Sequence, residues 1–193
     1  MVSSLACYFD FTCGYSYRAW SWFEHLKLVD PGFEVAWFPF LLKEVNRTDA
    51  EPSLLGGPRG DGVAVLSLAV AEALRGLPAA EAYRSEVFVA MHDGRERPGR
   101  EEVLTIAAQA GLDIDHFFRK EASWMEAVRQ SHVGAVERWG VFGTPTLVLD
   151  DAAAMYLKLT EVPPEGQLSL WEDITSIMLR APQVAELKRP VRV

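Results

Sequence analysis

The start of the chain constrains its fold most, because an apolar, aromatic-rich run at residues 5–11 passes within two residues into helical periodicity. Leu5, Ala6, Cys7, Tyr8, Phe9, Asp10 and Phe11 suit a buried strand, and Thr12 after them suits a helix N-cap. A helix is predicted from about Cys13. Ala19, Trp22, Phe23 and Leu26 then recur at i, i+3, i+4 and i+7, the spacing that lays one helical face on a core. Asp30-Pro31-Gly32 turns the chain. Residues 33–40 follow as a second strand, with Val35 and Trp37 on one face and Ala36, Phe38 and Phe40 on the other. Strand, helix and strand in this order imply a right-handed parallel βαβ unit.

Residues 46–62 are rich in Pro, Gly and acidic groups and read as a loop, after which the pattern is helical only. Helices are predicted over 63–75, 79–92, 100–110, 113–120 and 123–139. The second carries Tyr83, Val87, Phe88 and Met91 on one side, and Gly111 and Gly140 stop the third and the last as C-cap glycines do. Sheet character returns at 146–149, Asp150-Asp151 turns, and residues 155–159 alternate, with Met155, Leu157 and Leu159 facing one way and Tyr156 and Lys158 the other. The tight connection makes this pair an antiparallel hairpin. Leu170, Ile174, Ile177 and Met178 mark a final amphipathic helix, and Pro182 and Pro190 break the tail. The order βαβ, helices, ββα predicts an α/β fold in which residues 1–62 and 140–193 form one domain and 63–139 an all-helical insertion. A chain of 193 residues buries enough core for this without staples.

A net charge of -8 with no basic stripe argues against a nucleic-acid partner, and no apolar run approaches the ~20 residues needed to span a bilayer. No basic segment followed by a long apolar one opens the chain, so a cytoplasmic location is expected, where two cysteines are thiols rather than a structural disulfide. The sequon Asn46-Arg47-Thr48 stays unmodified there, and Arg59-Gly60-Asp61 reads as plain loop. Without a Cys-x-x-Cys pair no zinc site is expected, and Gly56-Gly57-Pro58-Arg59-Gly60 lacks the Gly-Lys-Ser/Thr of a phosphate loop.

Cys13 stands where a strand meets a helix, so its sulfur is expected near unpaired helix N–H groups and the positive end of the helix dipole. A cysteine so placed has its pKa lowered from ~8.5 to between ~3.5 and ~7.5, and the thiolate is the nucleophile. Ser16, one turn on, is positioned to donate its hydroxyl to the sulfur. Position alone leaves two readings of Cys13, a reactive thiol or a buried structural cysteine, the common fate of free Cys. Pro145 is equally open. Only ~5–6% of X-Pro bonds in folded proteins are cis, and a proline at the start of a strand needs no functional reason.

Four segments together resemble the DsbA-like branch of the thioredoxin superfamily, over nearly the whole chain. They are Tyr8-Phe9-Asp10-Phe11-Thr12-Cys13-Gly14-Tyr15-Ser16-Tyr17, the strand Trp37-Phe38-Pro39-Phe40, the insertion ending in Gly111-Leu112-Asp113, and Val141-Phe142-Gly143-Thr144-Pro145-Thr146. The branch includes DsbA oxidoreductases, FrnE-type proteins, 2-hydroxychromene-2-carboxylate isomerases and kappa-class glutathione transferases. The resemblance implies a thioredoxin-like fold and a cis Pro145 facing Cys13. It also implies a Thr144 backbone offered to a bound thiol or peptide. Cys13 and Ser16 are then the catalytic pair, and Gly14, Tyr15, Thr144 and Pro145 line the thiol site.

A dithiol oxidoreductase of this group has Cys where Ser16 stands and commonly Pro where Gly14 stands. Cys7 does not replace the missing thiol. Six residues upstream on a strand, it lies roughly 15–20 Å away at ~3.3 Å per residue, whereas bridged Cα atoms lie within ~7 Å. A lone thiol makes only mixed disulfides or sulfenic acid, resolved by a thiol from outside. The expected function is therefore that of a monothiol thiol-disulfide oxidoreductase without a tightly bound cofactor. Glutathione or mycothiol is the expected co-substrate and a small thiol or mixed disulfide the expected partner. The alternatives are a glutathione-dependent isomerase or transferase of the same branch, whose Lys, Tyr, Asp and Arg cluster and Gly-Gln-Asp segment are missing here, and a non-catalytic binding module. Monomer and homodimer both stay open.

Weaker candidates surround this centre. His92 and His132 face either the cleft or the core, while His25 and His116 read as surface or satisfied core residues. Asn46, with Lys43, Glu44 and Arg47, leaves the second strand near the cleft, as substrate contact or as plain loop. Tyr15, Tyr17 and Trp20 form either an apolar wall for a substrate or core packing.

Overall fold

In the computed structural model, which describes residues 4–48, 50, 51, 53–55 and 62–189, four strands form one sheet in the order β2-β1-β3-β4. β1 (Leu5–Phe9) runs parallel to β2 (Ala36–Pro39) and antiparallel to β3 (Thr146–Leu149), which pairs antiparallel with β4 (Ala153–Tyr156). Helix α1 (Gly14–Val29) joins β1 to β2. Then come α2 (Leu42–Val45), α3 (Val63–Leu74), α4 (Ala79–His92), α5 (Arg100–Gln109), α6 (Ile114–Arg119) and α7 (Glu121–Trp139), and α8 (Gln167–Arg180) closes the order. The expected sequence of βαβ unit, helices and ββα end is the observed one. Among the described residues no helix is long and apolar enough to cross a membrane. The loop and phosphate-loop readings of residues 56–61, and that of Pro190, fall outside the described residues.

Element ends differ from expectation for local reasons. β1 stops at Phe9 because Asp10 turns the chain, with Cys13 N–H donating to its carbonyl at 3.1 Å. β2 begins at Ala36 rather than at 33, since Phe33 N–H is still held by the Asp30 carbonyl at 2.9 Å. Asp150 and Asp151 adopt φ of 51° and 53°, so the hairpin closes early and β4 occupies 153–156 rather than 155–159. α2 carries too few residues to show a period in sequence.

One apolar core joins sheet and helices: Phe9, Phe11, Phe23, Trp37, Tyr83 and Phe88 belong to a single buried cluster. Phe9 meets Phe11 edge-on at 4.9 Å and Trp37 at 5.3 Å, and Phe11 meets Tyr83 at 5.8 Å. Such pairs contribute about 0.5–1.5 kcal/mol each beyond the area they bury. α1 buries the expected Ala19, Trp22, Phe23 and Leu26. β3 is buried at all four positions, which fixes the sheet's centre under helices. Gly140 ends α7 in the left-handed conformation, φ 64°, that a glycine adopts without strain.

β2 is an edge strand. Phe40 N–H donates to Phe9 on β1 at 2.8 Å, so the nitrogen of Pro39 points the other way, to the open side. The Pro39 carbonyl is met by the Ser131 hydroxyl of α7 at 2.8 Å.

Candidate active site

The antiparallel register that sets Tyr8 opposite Thr146 brings the end of β1 to the start of β3. Cys13, at the N-cap position of α1 with φ -89° and ψ 115°, therefore lies against residues far along the chain. The residue is 7% exposed, and its thiol donates to the Thr144 carbonyl at 3.2 Å. The Thr144–Pro145 peptide is cis, and the Pro145 carbonyl accepts from Leu157 N–H at 3.0 Å, which ties the segment to the chain leaving β4. The Thr144 hydroxyl is buried and without a partner among the described residues.

Two local expectations are corrected. Thr12 is not the helix cap: its hydroxyl and N–H both donate to the Asp10 carboxylate, at 2.7 and 2.8 Å, and the cap position falls on Cys13. Ser16 does not support the sulfur. It is fully buried, its oxygen accepts the Asp10 N–H at 3.4 Å, and it makes no hydrogen bond to Cys13. The Cys13 sulfur likewise takes no bond from the helix N–H groups.

Asp10 was not singled out from sequence, yet it organises the site. With no exposure, its carboxylate accepts from Thr12 N–H, the Thr12 hydroxyl and, at 2.9 Å, Leu42 N–H at the start of α2. Burial raises its pKa above the usual carboxylate value, against the pull of these donors and of His92. The available signal was a lone acidic residue inside an apolar run, because a buried carboxylate needs several donors.

Gly14 is exposed and is the first residue of α1, and a Cβ there meets nothing within 4 Å. Its flexibility is used by the unfolded chain alone. Gly14→Ala is expected to raise stability by about 0.4–1 kcal/mol, read as a higher urea midpoint at unchanged slope.

The aromatic wall divides. Tyr17 stacks on Trp20 at 5.6 Å and on His92 at 4.8 Å, and Trp20 stacks on Phe88 at 5.5 Å, so these rings pack against α4. Tyr15 turns to the other side, with Arg18 at 5.6 Å and Lys158 at 5.5 Å over its ring. Lys158 also lies 5.7 Å from the Tyr156 ring, which meets the exposed Phe142 at 5.0 Å. Neither Arg18 nor Lys158 pairs with an acid among the described residues. Sequence reasoning named Tyr15 but passed over Arg18 and Lys158 as its partners, because nothing in the sequence connects Lys158 with the start of α1.

His92 is placed near the site but not in it. Its Nε2 lies 2.8 Å from the Phe11 carbonyl, and burial lowers its pKa, which makes it a neutral donor bracing the β1–α1 turn. His132 is buried and stacked on Phe40 at 4.3 Å, its Nδ1 has no partner among the described residues, and it forms no bond to Cys13 or Thr144. His25 and His116 are exposed. Asn46 is exposed at the end of α2, where its N–H donates to the Leu42 carbonyl at 3.2 Å, and its side chain makes no hydrogen bond to Cys13 or Thr144. Glu44 pairs with Arg47 at 2.8 Å and accepts Leu54 N–H at 2.8 Å, so this segment braces its own loop. Cys7 is fully buried, and burial pushes its thiol pKa far up, which leaves it inert. Among the described residues no three His, Cys, Asp or Glu side chains gather to hold a metal ion.

A family model described as a DSBA-like thioredoxin domain matches residues 4–159. No curated protein matches in sequence. A probable DsbA oxidoreductase from Streptomyces coelicolor is similar in structure with a TM-score of 0.64 and 17% identity, over 98% of this chain and 93% of that one. A thioredoxin-like oxidoreductase from Silicibacter pomeroyi gives 0.60 at 21% identity, over 94% and 87%. A 2-hydroxychromene-2-carboxylate isomerase gives 0.61 at 16% identity, over 94% and 99%.

Proposed function

Because the chain belongs to the DSBA-like thioredoxin domain family, we propose that it is a monothiol thiol-disulfide oxidoreductase in which Cys13 is the nucleophile. The observation that carries this is the Cys13 thiol held 3.2 Å from the Thr144 carbonyl beside the cis Pro145, with Ser16 in place of a second thiol. Cys13 loses its proton to solvent, and the thiolate attacks one sulfur of a disulfide. That S–S bond breaks, a mixed disulfide forms on Cys13, and the other sulfur leaves as a thiolate. A thiol from outside then attacks the mixed disulfide, regenerates Cys13 and carries the pair of sulfurs away as a new disulfide. Net, one disulfide and one thiol exchange partners. Glutathione or mycothiol is the co-substrate, in keeping with a reducing cytoplasm. Arg18 and Lys158 beside Tyr15 favour a thiol that bears carboxylates, as glutathione does.

A second reading is a glutathione-dependent isomerase or transferase at the same cleft, in which Cys13 contacts the glutathione thiolate without bonding to it. The low exposure of Cys13, 7%, is the observation on its side. One experiment separates the two. After incubation with oxidised glutathione, intact mass is expected to show a single adduct, mapped to Cys13, absent in Cys13→Ser and removed by reduced glutathione. Glutathione binding without an adduct selects the isomerase or transferase reading, and neither result leaves a binding module.

A further inference from the structure

A cavity of about 360 Å³ lies between the edge strand β2 and the helices, away from the thiol. Phe9, Trp37, Phe38 and Pro39 of the sheet line it together with Arg75 and Arg84, and none of Cys13, Ser16, Thr144 or Pro145 does. The Arg75 guanidinium lies over the Phe38 ring at 4.5 Å and that of Arg84 over Trp37 at 4.9 Å.

The two arginines differ in what they already hold. Arg75 donates Nε to the Glu72 carboxylate at 3.0 Å, and its Nη2 reaches the same group. Arg84 has neither an ion pair nor a hydrogen-bond acceptor among the described residues, although it is half-buried on α4. The acids nearest to it in effect, Glu81 and Glu24, are both engaged by Lys27. Burial pulls its pKa down to about 10, so it stays charged at neutral pH. A guanidinium carries five donors, and a partly desolvated one without an acceptor is unfavourable unless something else supplies it. Trp37, which forms one wall, is also buried, and its indole N–H has no partner among the described residues.

We propose that this cavity binds a small organic carboxylate with an aromatic or aliphatic body, the carboxylate taken by Arg84 and the body laid among Phe9, Trp37 and Phe38. The planar fork of arginine matches a carboxylate in two parallel bonds, and stacking on Trp37 holds that fork in place. Both the volume and the mostly apolar lining with a few convergent donors are those of small-molecule pockets. The carboxylate here is a second ligand, independent of the thiol chemistry at Cys13.

Titration calorimetry with 4-phenylbutyrate as the probe tests this. Saturable binding of one molecule is expected, weaker by about tenfold or more for Arg84→Met and for the neutral amide of the probe, since a hydrogen bond to a charged group is worth about 1.5–3 kcal/mol. Arg84→Lys, which keeps the charge and loses the fork, is expected to fall between the two. Cys13→Ser is expected to bind as the wild type does. No binding by the wild type overturns the proposal, as does equal affinity of Arg84→Met or of the amide. Inorganic phosphate competing as well as the aryl acid also overturns it, because charge alone would then account for the site.

Discussion

Ser16→Cys is expected to replace the glutathione adduct on Cys13 by an internal disulfide. Cys13 is the N-cap of α1 and Ser16 its third residue, which sets their backbones about one 5.4 Å helical turn apart. A disulfide asks for Cα atoms within about 4.4–6.8 Å, which a single turn meets. In the wild type the Ser16 hydroxyl holds only a 3.4 Å bond from Asp10 N–H, so a sulfur there gives up little. The second thiol attacks the mixed disulfide from within the molecule, at an effective concentration of about mM or more, ahead of any thiol in solution. Intact mass after oxidised glutathione then shows the loss of two hydrogens with only a trace of adduct. The variant is also expected to oxidise a reduced peptide dithiol, and the wild type is expected not to. An adduct that persists on Cys13 in this variant would mean that the two side chains do not meet and that the family's dithiol geometry is absent here.

Asp10→Ala is expected to have the largest effect on stability, a loss of about 3–5 kcal/mol out of a total of about 5–15. Its unexposed carboxylate receives Thr12 N–H, the Thr12 hydroxyl and Leu42 N–H, and truncation leaves these half-buried donors unpaired. Urea denaturation reads the loss directly, and a drop below about 1 kcal/mol would show that the turn finds other acceptors. The pH dependence has a definite sign. Because burial raises the folded-state pKa of Asp10 above its ordinary 3.8, the folded chain binds this proton more tightly than the unfolded chain. Its contribution is complete below the ordinary value and is lost as pH rises through the folded one. The stability difference between wild type and Asp10→Asn is therefore expected to fall with pH across that window and to level off above it.

The order of elements was legible because each announces itself by period: the i, i+3, i+4, i+7 spacing of Ala19, Trp22, Phe23 and Leu26, and glycines at 111 and 140 that end helices. The pairing of Cys13 with Thr144 was legible only through a family pattern, since nothing in composition connects residues 131 positions apart. Ser16 shows where local reasoning fails. Spacing allows its hydroxyl to reach the sulfur, but a buried backbone N–H from Asp10 competes for the same side chain, and spacing does not say which partner wins. Arg84, Arg18 and Lys158 look like ordinary solvated residues until the fold shows which of them lack an acid.

The outer margin of β2 bears on how copies of this chain meet. A proline turned outward at position 39 offers no donor, and the Ser131 hydroxyl already occupies the adjoining carbonyl, so an incoming strand finds both ends of that ladder rung taken. At high concentration a ladder along this side is therefore expected to break at Pro39. Strand-to-strand contact between copies is left to the opposite margin of the sheet, where β4 pairs on one side with β3 alone.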